Sequence, residues 1–366
     1  MRPNRPLLRA LGLACMLAFG ACAPTVIGKG PTITSARIVD DWIAVMPDGA
    51  QLPLEIWRPA DHGGSETRAL VVALHGFGDY ANAFRRFAPQ LASDGIAVYA
   101  YDQRGFGQAP HPGRWAGAEV LADDAATVAA LARADQAGRG RPSLPVLLMG
   151  ESMGGAVAML VAARAEPGID GVILSAPAVW GRDFMPGYQT RSLALTSRTL
   201  PWLTLTPRGL PIYPSDNIPM LIRLSRDRLF VRSPRVDMVH GLVDLMDAAQ
   251  AAAPDIALPT LFLYGDKDDL VPKRPTCAAI AKLPDRPRRW RVVVYEGGHH
   301  MLFRDLNGAR VARDIAAWIS DPDAVLPSGD ERLPRKTGPK SLSAFCPNQG
   351  AAVPTEQSET RPDIIQ

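Results

Sequence analysis

The sequence predicts an α/β fold: a mostly parallel central sheet with helices on both faces, an N-terminal hairpin, and a cap inserted after the sixth strand. Three observations carry this. Short runs that are apolar at every residue alternate with helical stretches, as strands covered on both faces require. Glycine-rich turns follow several of those runs. The alternation stops at Pro177 and resumes only after Ala257, so a single α/β domain carries an insertion. With 366 residues, 47% of them apolar, the chain can bury a core and is no disordered polymer. Its 40 basic and 37 acidic side chains leave a net charge of +3 with no clustered surplus, which argues against nucleic acid as a partner.

The first segment is an address. Met1 to Arg9 is basic, Leu11 to Gly20 is mostly apolar, and small residues follow at Gly20, Ala21 and Ala23, the layout of a secretory signal. At roughly ten to twelve residues the apolar run is too short to span a bilayer. Phe19-Gly20-Ala21-Cys22 resembles a bacterial lipobox with Cys22 as the lipidated N-terminus, although Phe19 stands where that motif usually has Leu. Ala21-Cys22-Ala23 also suits ordinary signal peptidase, which would leave a soluble secreted protein. The expectation is an exported lipoprotein facing the periplasm or the outside, anchored to the membrane through Cys22. Loss of Arg2, Arg5 and Arg9 brings the formal charge from +3 to zero, so shape and apolar surface would choose its partners. Export also permits a disulfide between Cys277 and Cys346; the alternative for Cys277 is a buried thiol near a helix start.

Residues 1–22 are thus the signal, 23–35 a linker, 36–176 and 258–320 the core, 177–257 the cap and 321–366 an irregular tail. Arg37 to Met46 and Gln51 to Trp57 are β-rich and flank the turn Pro47-Asp48-Gly49-Ala50, which predicts the hairpin. Ala69 to Leu74, Ile96 to Tyr101, Val146 to Met149 and Val172 to Leu174 are the buried strands. Between them, Ala118 to Ala137 places Leu121, Ala125, Val128 and Ala132 on one stripe, and Ser152 to Ala165 is dense in Gly and Ala for close packing on a sheet. After the insertion come the strand Thr260 to Tyr264, a helix near Pro275 to Leu283, the strand Arg291 to Tyr295, and a helix through Val311, Ile315, Trp318 and Ile319. From Asp321 the chain is rich in Pro, Ser and Gly without a period.

The chemistry falls at the turns after strands. Gly150-Glu151-Ser152-Met153-Gly154 follows a buried strand and opens a helix, the context of a nucleophile elbow: the serine must sit in a strained turn that flanking side chains would obstruct. A serine hydroxyl needs a base, and the base needs an orienting group. Leu261 to Leu270 is a strand running into Asp266, Asp268 and Asp269; Tyr295 to Met301 is a strand running into His299 and His300. The order Ser, Asp, His along one edge of a parallel sheet points to nucleophilic hydrolysis. Leu74-His75-Gly76-Phe77-Gly78-Asp79 would present the Phe77 N–H beside that of Met153, a pair of donors for an oxyanion. His75, which precedes the turn, reads as structural. In Asp102-Gln103-Arg104-Gly105, the Asp and Arg read as holding their loop by a partly buried ion pair.

Together the His-Gly-Phe-Gly turn, the Asp-x-Arg-Gly-x-Gly loop, the Gly-Glu-Ser-Met-Gly-Gly elbow, the Gly-Asp-Lys-Asp turn and the His-Met-Leu-Phe-Arg-Asp segment resemble the monoacylglycerol lipase and lysophospholipase group of α/β-hydrolases, serine aminopeptidase S33-like, over roughly residues 36 to 320. The resemblance implies an α/β-hydrolase fold, Ser152 as nucleophile, Asp268 as acid, three residues after Gly265, and His300 as base, immediately before Met301-Leu302. His299 stands where such proteins often carry another residue type, so both histidines remain candidates. The implied function is a serine hydrolase cleaving esters of monoacylated lipids, with no metal or organic cofactor. The alternatives are a broad carboxylesterase, thioesterase or peptidase, or a non-catalytic lipid-binding lipoprotein. Within the cap, Leu195, Leu200, Trp202, Leu203, Leu205, Leu210 and their neighbours either line a slot for an acyl chain or pack the cap onto the body. Arg182, Arg191, Arg198 and Arg208 are candidates to meet lipid head groups.

Overall fold

The computed structural model describes residues 24–60, 66–206, 212–284, 290–333, 338 and 340–347; Cys22 with the signal segment, and Arg208 and Leu210 of the cap, lie outside the described residues. The strands are β1 (Arg37–Val39), β2 (Ile43–Val45), β3 (Gln51–Trp57), β4 (Ala69–Leu74), β5 (Ile96–Tyr101), β6 (Val146–Glu151), β7 (Gly171–Ser175), β8 (Thr260–Gly265), β9 (Trp290–Tyr295) and β10 (Glu331–Arg332). Their order across the sheet is β1-β2-β3-β5-β4-β6-β7-β8-β9-β10. From β5 to β9 every pairing is parallel, while β3 on β5 and β10 on β9 are antiparallel. The sheet's parallel strands are buried on both faces, and the side chains divide by the period of two. In β4, Leu70, Val72 and Leu74 face one layer while Ala69, Val71 and Ala73 face the other.

The helices are α1 (Ala88–Ser93), α2 (Ala118–Gly138), α3 (Met153–Ala163), α4 (Gly187–Thr199), α5 (Ile218–Arg226), α6 (Val236–Ala252), α7 (Lys273–Lys282), α8 (Gly308–Ser320) and α9 (Leu342–Phe345). One layer is filled by the expected α2 stripe, Leu121, Ala125, Val128 and Ala132, together with α3 and with Ala279 and Ile280 of α7. The other holds Phe84, Phe87 and Leu91 beside Val311, Ile315 and Trp318 of α8. Among the described residues no helix is long and apolar enough to cross a membrane.

Three departures from the sequence reading have local causes. Arg37 to Met46 is two strands, because Asp40 and Asp41 adopt left-handed φ values of 50° and 61° and fold β1 back onto β2. The cap therefore follows the seventh strand counted from the N-terminus, which is the same Val172–Leu174 run. At the far end of the insertion, α6 packs on α3 with Met238, Leu245 and Ala249 buried in the core, so this part of the insertion belongs to the body. In the tail, β10 joins the sheet through a bidentate pairing of Arg291 with Glu331 at 2.6–2.7 Å. Residue pair Cys277–Cys346 forms a disulfide and Phe345 packs its ring on Tyr264, so this part of the tail is docked although most of its described residues lie outside helix and strand.

Candidate active site

β6 ends in Glu151, and α3 begins at Met153. Between them Ser152 adopts φ 53° and ψ −114°, a conformation that costs a non-glycine residue about 1–3 kcal/mol and lifts its side chain out of the strand-to-helix corner. Close approach makes the flanking glycines obligatory: a Cβ at Gly150 would strike Gly154, and one at Gly154 would strike the Leu74 carbonyl on the neighbouring strand. The elbow is pinned by its own backbone, with Ser152 N–H donating to Ser175 O at 2.9 Å and Ala178 N–H donating to Ser152 O at 2.9 Å. Ser152 keeps partial solvent exposure whereas Glu151 and Met153 are buried.

The acid and base turns are stitched together before any catalytic group is considered. Lys267 N–H donates to Gly298 O at 2.9 Å, and Gly297 N–H donates to Asp266 Oδ1 at 2.8 Å. This settles which carboxylate and which imidazole meet. Asp266 is used up holding the Gly297 turn, and Asp269 is exposed. Asp268 is fully buried at its side chain: Oδ1 accepts from Leu270 and Val271 N–H, and Oδ2 lies 2.8 Å from His300 Nδ1. That contact leaves His300 Nε2 for other work. His299 turns instead toward Asp305, whose Oδ2 accepts the His299 backbone N–H at 2.8 Å. No hydrogen bond joins the Ser152 hydroxyl to His300 among the described residues. Burial opposes the imidazolium, but the charge and hydrogen bond of Asp268 and the charge of Glu151 outweigh it, so the His300 pKa is raised.

Gly76 brings the turn after β4 against the elbow: a Cβ there would lie 3.4 Å from Ser152 Cβ. Neither the Phe77 nor the Met153 amide is spent on a hydrogen bond among the described residues, and Met153 lies in the first turn of α3, where N–H groups have no helical acceptor. His75 is structural, as expected. Its Nε2 accepts the Gln103 N–H at 3.0 Å, its Nδ1 contacts Gly76 O at 2.9 Å, and burial lowers its pKa. The Asp102/Arg104 expectation is corrected. Asp102 accepts the Ala81 and Gln108 amides, whereas Arg104 pairs with Asp48 and Asp124, because the hairpin turn and α2 bring those carboxylates closer to it.

Sequence reasoning missed two features. Under the site, Arg304 lies 2.6 Å from Asp79 and 3.0 Å from Glu151, with all three side chains buried. Each lies inside a motif the sequence singles out, one to four residues from Phe77, Ser152 or His300, but no local signal marks the pairing of charges so far apart in the chain. Beside the base, the cap clasps residues 301–306. Met301 N–H donates to Pro214 O at 2.8 Å, Ser215 Oγ to Asp305 at 2.6 Å, Asn217 Nδ2 to Arg304 O at 3.0 Å, and Leu306 N–H to Asp216 at 2.8 Å. Many apolar cap side chains are open to solvent: Leu195 is 65% exposed and Trp202 53%, with Leu200, Leu203 and Leu205 also open, whereas Met220 is buried.

A mostly parallel sheet carrying an elbow serine after β6, with an Asp-held histidine after β9 on the same strand-end side, defines an α/β-hydrolase. Residues 65–307 match the family described as serine aminopeptidase, S33, and the chain belongs to that family. It is 25% identical over 289 residues to a monoacylglycerol lipase of Mycolicibacterium smegmatis, covering 74% of this chain and 93% of that protein. It is likewise 25% identical over 288 residues to the monoglyceride lipase of Homo sapiens, covering 77% and 90%. Among solved structures, a soluble variant of the monoglyceride lipase of Saccharomyces cerevisiae, in complex with a substrate analog, shares the fold. Its TM-score is 0.64 at 18% identity, over 83% of this chain and 99% of that one.

Proposed function

We propose that this chain is a serine ester hydrolase that cleaves the carboxylic esters of monoacylated lipids, monoacylglycerols or lysophospholipids, through an acyl-enzyme. The observation that carries the reading is the buried Asp268–His300 pair at 2.8 Å on the same sheet edge as the strained Ser152 elbow. His300 Nε2 takes the hydroxyl proton as Ser152 Oγ attacks the ester carbonyl carbon, and Asp268 holds the Nδ1–H tautomer and the imidazolium that forms. The Phe77 and Met153 amides receive the tetrahedral oxyanion. His300 then returns the proton to the departing alcohol, leaving the acyl group on Ser152. Water, deprotonated by the same imidazole, attacks that ester, and the fatty acid leaves as Ser152 regains its proton.

The monoglyceride lipases among the relatives support the substrate class, and the open apolar side chains of the cap support an acyl ligand. The same reading keeps the mature chain at a membrane through Cys22, beside lipid-dissolved substrate, and an intact mass of the mature N-terminus tests it. The decisive experiment is Ser152→Ala: hydrolysis of short p-nitrophenyl esters falls by at least ~10³-fold while the circular dichroism spectrum is unchanged. Retained turnover would defeat the assignment. Because the family's name specifies an aminopeptidase, a panel of glycerol esters, lysophospholipids, acyl thioesters and aminoacyl amides fixes the leaving group. Failure of a fluorophosphonate probe to label Ser152 would mark a binder, not a hydrolase.

A further inference from the structure

We propose that Glu151 and Arg304 are positioning residues for the reaction inferred above: Arg304 ties the three turns of the site together, and Glu151 serves as a second carboxylate acting on the His300 imidazole. The argument starts from where the charges sit. Asp79 follows the turn that carries Phe77, Glu151 precedes Ser152, and Arg304 lies four residues beyond His300 in the turn after β9. Arg304 reaches Asp79 at 2.6 Å and Glu151 Oε2 at 3.0 Å, and all three side chains are at most 9% exposed. One guanidinium thereby joins the oxyanion turn, the elbow and the base turn, segments separated by 153 residues between Glu151 and Arg304 alone. Its backbone carbonyl also accepts Asn217 Nδ2, so the cap grips the same residue.

Packing alone would not call for this arrangement. A buried ion cluster is no better for stability than apolar residues of the same volume, and often worse. Here it has unmet capacity: Glu151 Oε1 and Arg304 Nε are buried with no hydrogen-bond partner among the described residues. Such an unsatisfied carboxylate oxygen next to the nucleophile leaves the Glu151 charge incompletely answered. Asp268 lies 2.8 Å from the His300 ring; its charge and that of Glu151 favour the protonated form, and the charge of Arg304 opposes it. Glu151 in turn is faced by Arg304, Asp79 and His300. The consequence for catalysis is that the imidazolium formed during attack is stabilised by two carboxylates, Asp268 in direct contact and Glu151 through its charge, while Arg304 holds Glu151 in place beside the elbow.

Glu151→Gln tests this with little change of shape. The Cε1–H resonance of His300, assigned by its loss in His300→Asn, should titrate at lower pH in Glu151→Gln than in the wild type, by about half a unit or more. The acid limb of kcat/KM should move in the same direction, kcat should fall at least tenfold, and KM should stay within twofold. Arg304→Met should lower kcat at least a hundredfold, and Arg304→Lys, which keeps the charge, should recover to within tenfold of the wild type. An unmoved His300 titration in folded Glu151→Gln overturns the proposal, as does a loss of activity that only tracks the fraction of folded protein. The titration needs no turnover, so the hydrolase reading fails separately: a shifted His300 in a protein whose activity survives Ser152→Ala sinks that reading and leaves the effect of Glu151 on His300 standing.

Discussion

Cys346→Ser opens the Cys277–Cys346 bond, and the size of the effect follows from the chain it closes. The two cysteines are 69 residues apart in sequence. In the chain-entropy account, cross-linking a loop of that length removes about 4.4 kcal/mol of unfolded-state freedom at 25 °C, and native disulfides typically deliver about 2–4 kcal/mol. The bond spans α7 in the body and the end of α9 in the tail, and between them lie β9, α8 and β10, so its loss frees the C-terminal edge of the sheet. Partial compensation comes from Leu342 and Phe345, which remain buried, and from the Arg291–Glu331 pair. Urea unfolding of the wild type with and without dithiothreitol, beside Cys346→Ser and the Cys277→Ser/Cys346→Ser double variant, should give one common loss of about 2–4 kcal/mol for all three reduced forms. Reduction that leaves the transition midpoint in place, or a wild-type mass showing two free thiols, would refute the reasoning.

Other perturbations separate the candidate roles. His300→Asn should abolish esterase activity, whereas His299→Asn should retain it within about tenfold, since His299 faces Asp305 and not the acid; p-nitrophenyl butyrate hydrolysis decides between them. Catalysis needs neutral His300, whose proton is held by Asp268 and Glu151 against the effect of burial. The acid limb of kcat/KM should therefore lie above the ordinary imidazole value of 6.5, and a midpoint at or below it contradicts the geometry. By the same sign, the stability that His300 contributes is complete below the unfolded imidazole pKa and fades as pH rises through the higher folded one. Arg104→Met strands the buried carboxylates of Asp48 and Asp124 and should cost about 3–5 kcal/mol in urea unfolding. Gly154→Val drives a side chain into the Leu74 carbonyl and should remove both activity and about 3 kcal/mol or more of stability; wild-type turnover in that variant would deny the elbow packing.

The parallel sheet was legible because its strands are apolar on both faces, a pattern that polar-faced strands and loops do not produce. Every buried run from Ala69 to Tyr295 is a strand, and each candidate triad residue lies just after one. What stayed hidden has a common physical origin. The break at Asp40–Asp41 depends on two non-glycine residues adopting left-handed backbone, which composition disfavours. Membership of α6 in the core depends on which surface its apolar stripe meets, and sequence periodicity specifies the stripe but not its partner. Sequence separates His300 from His299 by resemblance alone; the stitched turns at Gly297 and Gly298 place the His300 ring on Asp268 and the His299 ring 3.7 Å from Asp305. β10 pairs with β9 beside the long-range Arg291–Glu331 ion pair, and no local signal marks a two-residue strand.

The two arginines at the heart of the molecule show why such long-range charges recur. Arg104 and Arg304 have side chains only 7% and 9% exposed, and each binds two buried carboxylates from distant segments. Apolar contacts hold the sheet and its helices together, but they are non-directional, and the turns at strand ends have little apolar surface with which to fix one another. A guanidinium fork has five donors in a fixed plane, so it sets both distance and angle between the segments it joins. Arg104 does this for the hairpin turn and α2, away from the chemistry. Arg304 does it for the oxyanion turn, the elbow and the base turn, where a misplacement of about 1 Å can cost a hundredfold in rate. Replacing Arg104 should therefore register mainly in stability and replacing Arg304 in kcat as well, a contrast that an exclusively structural role for both would not produce.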